Sequence, residues 1–164
     1  MKTAQILKEM QEAFKTADNL FRQGSYERSI EYYNRALSFS QSLPNETTFD
    51  RQRFDASCYA GLSGALGCAG KHLESFAAAN KALVFYDSFW ENYPADVGRW
   101  LMAQVNQGTA LAALRCLPAA LEALQRAKDI FVNKGLDIVN NEEWLKMVDG
   151  NIEAIYTQIE KAKH

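Results

Sequence analysis

The chain has 164 residues and a formal net charge of −2, a balance that argues against a broad nucleic-acid or anionic-membrane surface. Hydrophobic residues at 48% and charged residues at 23% are globular values, which exclude a disordered chain and predict one domain with a continuous core over 1–164. The N-terminal run Met1-Lys2-Thr3-Ala4-Gln5-Ile6-Leu7-Lys8-Glu9 is too polar for export, and no later stretch suits a bilayer, so the expectation is a cytoplasmic protein without a membrane role.

A first helix is predicted over about 3–23, with Ile6, Met10, Phe14, Ala17 and Leu20 facing inward. Lys8, Lys15 and Arg22 lie seven apart as a basic stripe, either a solvated face or a groove edge that attracts acidic side chains. Gly24 breaks the helix and Ser25 is placed to cap the next one, which carries Ile30, Tyr33, Ala36 and Leu37 on one face. This second helix continues through Phe39 to Leu43, where Pro44 stops it.

The third helix starts at Phe49 or Phe54 and carries Gly61, Gly64 and Gly67 at spacings of three. Each interior glycine costs about 1 kcal/mol relative to alanine. Two explanations stand side by side: close packing between the first and fifth helices, or an open groove floor with room for a partner's side chain. Phe85 and Phe89 extend the fourth helix, and Tyr93-Pro94-Ala95-Asp96 leads to the fifth. The sixth begins at Leu117-Pro118, with proline where its missing N–H is harmless, and stops at Lys134-Gly135. Asn140 with Glu143 forms a capping signature for a last helix that has Trp144, Leu145, Val148, Ile152, Ile155, Tyr156 and Ile159 on one broad face.

Internal repetition decides the fold. The turn residues Gly24, Gly70 and Arg115 are spaced 46 and 45 residues apart. At the same spacing Leu20 recurs as Leu66 and Leu111, Ala17 as Ser63 and Gly108, and Ser29 as Ser75 and Ala120. Ala36 recurs as Ala82 and Ala127, and Phe39 as Phe85 and Ile130. Three copies of a helix–turn–helix follow, and a stacked array of such units needs a final helix to cover its open edge.

The pattern resembles the tetratricopeptide repeat (TPR), in which a small residue, a leucine, a Gly-x-Tyr turn and two alanines recur in this order. Gly24-Ser25-Tyr26 with Ser29 and Ala36-Leu37 is the best copy, and the resemblance runs from about Ala13 to Phe131. The sequence departs in three ways. No Trp opens a repeat (Ala13, Tyr59 and Ala103 stand there), no Pro closes one (Gln41, Asp87 and Val132 stand there), and the period exceeds the usual 34 residues. The Phe54-Asp55 and Ala60-Gly61-Leu62 segments are also similar to small uncharacterised bacterial TPR-like proteins, which implies no activity.

The resemblance implies an all-α, right-handed α-solenoid: three long hairpins at about 3–43, 48–92 and 95–134, and a capping helix at about 141–163, seven helices in all. It also implies a concave groove lined by the first helix of each hairpin. On that alignment Phe14, Asp18 and Arg22, then Gly61 and Gly64, then Asn106 and Thr109 face a peptide or helix of a partner protein. The carboxylate clamp of chaperone-binding TPR domains is not matched, because Phe14, Asp18, Gly61, Met102 and Asn106 occupy its five positions.

Catalytic constellations are missing from the sequence. His72 replaces a turn tyrosine and His164 ends the chain, so both read as structural or idle. Cys58 and Cys68 are ten residues apart on one helix, about 15 Å by helical rise, and with Cys116 they make neither a disulfide nor a metal set. All three read as small buried hydrophobes. Neither a cofactor nor a metal is expected, and the expected function is a non-catalytic binding module or adaptor. The rival is a homo-oligomeric scaffold whose groove or aromatic face holds a second copy. Tyr86, Trp90 and Tyr93 are the candidate aromatic interface, set on a different face from the core residue Phe85.

Overall fold

The computed structural model describes residues 2–134 and 141–163. Its α-helices are α1 (Thr3–Arg22), α2 (Tyr26–Gln41), α3 (Arg51–Cys68), α4 (His72–Phe89), α5 (Val97–Ala113), α6 (Leu117–Lys134) and α7 (Asn141–Ala162). Two short 3-10 turns, Trp90–Asn92 and Pro94–Asp96, join α4 to α5, and there is no strand among the described residues. α1 packs on α2, α3 on α4 and α5 on α6, and each pair passes to the next through α2 on α3, α4 on α5 and α6 on α7. The result is the α-solenoid expected from the repeats.

The repeat positions explain the hairpins one by one. Gly24 and Gly70 adopt φ of 79° and 80°, and Arg115 adopts 66° at the same place in the third hairpin. At each turn the same pair of hydrogen bonds closes the helix end: Gly24 N–H to Phe21 O and Ser25 N–H to Leu20 O, then Gly70 to Gly67 and Lys71 to Leu66, then Arg115 to Ala112 and Cys116 to Leu111. This is the Schellman arrangement, and it requires a left-handed residue at that one position. Where the helices cross, Ala36, Ala82 and Ala127 are all fully buried. Buried hydroxyls lock the first two crossings, with Ser29 Oγ donating to Ala17 O at 2.8 Å and Ser75 Oγ to Ser63 O at 2.7 Å.

Several expectations need correction. α2 ends at Gln41, although Leu43 still turns inward to join Ile6 and Met10. α3 starts at Arg51, capped by the Asp50 carboxylate, which accepts from Arg53 N–H at 3.2 Å. Ser25 precedes α2 without a side-chain cap; only its backbone carbonyl serves, accepting from Ser29 N–H. The C-terminal half of each second helix buries Ser40, Tyr86 and Phe131, so Phe39 and Phe85 are only partly covered and Tyr86 is the core residue. On α7, Val148 and Ile155 are buried, whereas Tyr156 is 48% exposed and no core residue. Cys58 is buried, but Cys68 and Cys116 sit exposed near hairpin turns. The Gly135 stop, the Asn140 cap and His164 lie outside the described residues.

Candidate functional site

α1, α3 and α5 present the side on which a groove was expected. α3 runs closely along α5, while α1 meets α3 only sparingly, so side chains rather than backbone fill the space between α1 and α3. Phe21 from α1 and Tyr33 from α2 do this, and both press on the glycines of α3. A Cβ built on Gly61 would fall 2.4 Å from the Tyr33 hydroxyl oxygen and 2.5 Å from its ring. One built on Gly64 would meet Asn106 Nδ2 at 3.3 Å and the Phe21 ring at 3.5 Å. Gly61 and Gly64 are both buried. At these two positions an added side chain would collide with Tyr33 or crowd Asn106 and Phe21, so the small residues serve internal packing.

Above Gly61 lies a polar bridge. The Tyr33 hydroxyl donates to Asp18, and Arg99 of α5 reaches across to the same carboxylate at 2.6 Å. The Arg99 guanidinium also lies 5.0 Å from the centroid of the Phe14 ring. Burial alone would lower the pKa of Arg99, but the Asp18 carboxylate outweighs it and the group is held still more firmly charged. Burial, reinforced by Asp18, pushes the Tyr33 hydroxyl up, so it remains a donor. Removing Asp18 would strip Tyr33 and Arg99 of the one carboxylate they share, the costly way to break such a contact.

Beside the bridge a cavity of about 180 Å³ opens, lined by Asp18, Phe21 and Arg22 of α1, Gly61 of α3, and Arg99 and Met102 of α5, with Tyr33 at its base. Of the expected groove residues it brings together Asp18, Arg22 and Gly61. Phe14 is half-buried against Tyr33 and Phe54. Asn106 is spent on Ser63 Oγ at 2.9 Å, and Thr109 is exposed with its hydroxyl on Asn106 O. Lys8, Lys15 and Arg22 are all exposed. Sequence reasoning missed Tyr33, Arg99 and Phe21 as site residues. Arg99 was findable, since 99, 102, 106 and 109 fall on one helical face.

The three residues of the expected aromatic interface make contacts within the chain, Tyr86 fully buried and Trp90 and Tyr93 partly so. Tyr86 is fully buried and its hydroxyl pairs with Ser57 Oγ at 2.9 Å, so it is unavailable to a partner. Trp90 stacks on Trp100 with centroids 5.2 Å apart. Tyr93 donates to Asp50 and lies under the Arg53 guanidinium, which in turn grips Asp96 with two bonds of 2.9 Å. This cluster ties the start of α3 to the start of α5.

Among the described residues no group of three or more His, Cys, Asp and Glu side chains is placed to hold a metal ion, and no helix is long and apolar enough to cross a membrane. Residues 5–144 match the family described as Domain of Unknown Function (DUF3856). The chain belongs to this family. The fold of this chain is TPR-like. A solved TPR-like protein from Chlorobium tepidum superposes with a TM-score of 0.88 at 23% identity, over 94% of this chain and 99% of that one. The C-terminal TPR-containing domain of a Plasmodium falciparum protein named as an FK506-binding protein superposes with a TM-score of 0.71 at 14% identity, over 99% of this chain and 96% of that one. No curated protein matches the chain.

Proposed function

We propose that this DUF3856 protein is a non-catalytic protein-interaction module that takes a peptide or helix of a partner along α1, α3 and α5. The observation that carries this reading is the cavity at the Asp18–Arg99 bridge. At about 180 Å³ it is smaller than the roughly 300–1,000 Å³ of small-molecule sites and suits a single inserted side chain. Phe21 and Met102 give it apolar walls, and two guanidiniums against one carboxylate leave it net positive. Among the described residues the Arg22 side chain bonds to Asn19, at 3.1 Å, and forms no ion pair, and its charge is available at the rim. An acidic side chain flanked by an apolar one is the chemistry that fits.

The test is a random peptide library displayed against the immobilised chain, with Arg22→Glu as the comparison. The wild type is expected to enrich acidic-apolar peptides, and the reversal of this exposed charge should weaken them about tenfold or more while the helical spectrum is unchanged. Peptides that bind both proteins equally, or no enrichment at all, would remove the groove from consideration.

A further inference from the structure

The shared turn register lets the outer helices be compared position by position. In α2 the outward line reads Glu27, Glu31 and Ser38, and in α6 it reads Pro118, Glu122 and Asp129. In α4 the same three positions hold Leu73, Ala77 and Val84. All nine residues are exposed, Leu73 at 69% and Val84 at 76%. Single apolar residues on a surface need no explanation. Three on one helical line, where both neighbouring hairpins carry acids, make a ridge that water wets at a cost.

Charge runs along one flank of that ridge. Glu74 and Lys81 are seven residues apart on α4, and among the described residues neither is in an ion pair. Lys81 instead lies 4.9 Å from the centroid of the Tyr59 ring. On the same flank a cavity of about 370 Å³ between α2 and α4, floored by α3, and one of about 320 Å³ between α3 and α4 meet at Tyr59 and Lys81, forming a cleft beside α4.

We propose that α4 is the seat of a twofold homodimer, packed antiparallel on α4 of a second copy. The pattern is self-complementary, which is what an isologous contact demands. A crossing centred near Ala77 and Ala78 sets Leu73 opposite the partner's Val84 and Glu74 opposite the partner's Lys81, each within about one residue of helical rise, ~1.5 Å. In an antiparallel pair related by a twofold axis, one flank of a helix meets the same flank of its mate, so both charge pairs form at once. The small side chain of Ala77 at the centre permits close approach. The ridge of each copy then overhangs the other's cleft beside α4. An unrelated partner has no reason to need an acid and a base placed symmetrically about the middle of the ridge. This surface is separate from the groove on α1, α3 and α5, and either can fail without the other.

Sedimentation equilibrium of the full chain from about 1 to about 200 μM should show the mass rising from one chain to two. Glu74→Lys alone sets lysines against each other and Lys81→Glu alone sets glutamates, so each should weaken the dimer about threefold or more. The double reversal, Glu74→Lys with Lys81→Glu, should restore it. Val84→Glu should raise the dissociation constant about tenfold or more. A covalent check avoids any effect on folding: Ala77→Cys, with Cys68→Ser and Cys116→Ser, should oxidise to a linked dimer near the axis. A chain monomeric throughout the range, a double reversal no better than its singles, or no link through position 77 would each overturn the proposal.

Discussion

The first two hairpins and the third solve one packing problem differently. In the first two, a buried serine bonds a carbonyl across the crossing, and glycine makes the turn. In the third, Ala120 replaces the serine, and the side chain of Leu124 lies where a Cβ on Gly108 would be, 2.7 Å from its Cγ. Arg115 then takes the left-handed turn that glycine makes elsewhere. The architecture fixes a small residue at the crossing and a positive φ at the turn. It leaves open whether a hydrogen bond or an inserted leucine completes the contact. A glycine can therefore be a turn, a seat for a neighbour's ring or a seat for a leucine, and sequence spacing alone does not tell these apart.

The largest expected effect lies between hairpins, at the seat of a ring. Gly61→Ala puts a methyl into the Tyr33 ring, which is 1% exposed and anchored on Asp18, so the ring must leave its place and the polar bridge must open. Overpacking should outweigh the roughly 1 kcal/mol that alanine contributes to helix propensity, for a net loss of about 2 kcal/mol or more in denaturant melts. Gly64→Met should also lose stability, because Phe21 and Asn106 already occupy the space above it. A melt that leaves both unchanged would return the stripe to the partner.

Inside the third hairpin the obstacle is softer. Gly108→Ala meets Leu124 Cγ and Cδ2 at 2.7 and 2.8 Å, and a leucine can turn or slide where a buried tyrosine cannot. A loss of about 1 kcal/mol is expected, and Leu124→Ala should reverse its sign by vacating the contact. If the two changes add independently, Leu124 is not what holds position 108 small.

What the sequence made legible is what repeats. The turn positions, the buried alanines and the small residues at the crossings follow from a period of 46 and 45, and each sits where the period puts it. The groove was less legible because its contacts do not repeat. Asp18 and Arg99 are 81 residues apart and meet over α3, a pairing with no spacing signature. Tyr33 belongs to a second helix, which the family geometry assigns to the other side, yet its hydroxyl reaches the first-helix face through the gap above Gly61. Tyr86 reads as a surface residue when Phe85 is taken for the core, but the hairpin buries position 86 instead, as it buries Ser40 at the same place in the first hairpin. Cys68 misled for the reverse reason: a small apolar type near a helix end is not thereby inside.

The smallest effect sharpens the comparison at the turns. Arg115 holds φ at 66°, a conformation that costs a residue with a side chain about 1–2 kcal/mol. Arg115→Gly removes that strain but gives the unfolded chain more freedom, which returns about 0.4–1 kcal/mol. It also forfeits the exposed bond from the Arg115 guanidinium to Gln158 on α7, at 3.3 Å, a contact of little weight. The net expectation is a gain of about 0.5 kcal/mol. Two further substitutions separate strain from tether. Arg115→Asn loses the tether but tolerates the left-handed turn, and should fall between glycine and the wild type. Arg115→Ala loses the tether and keeps the strain, so it should be the least stable of the four. Thermal melts that rank alanine level with glycine would mean that the third turn is unstrained, and that its departure from the first two hairpins is one of sequence only.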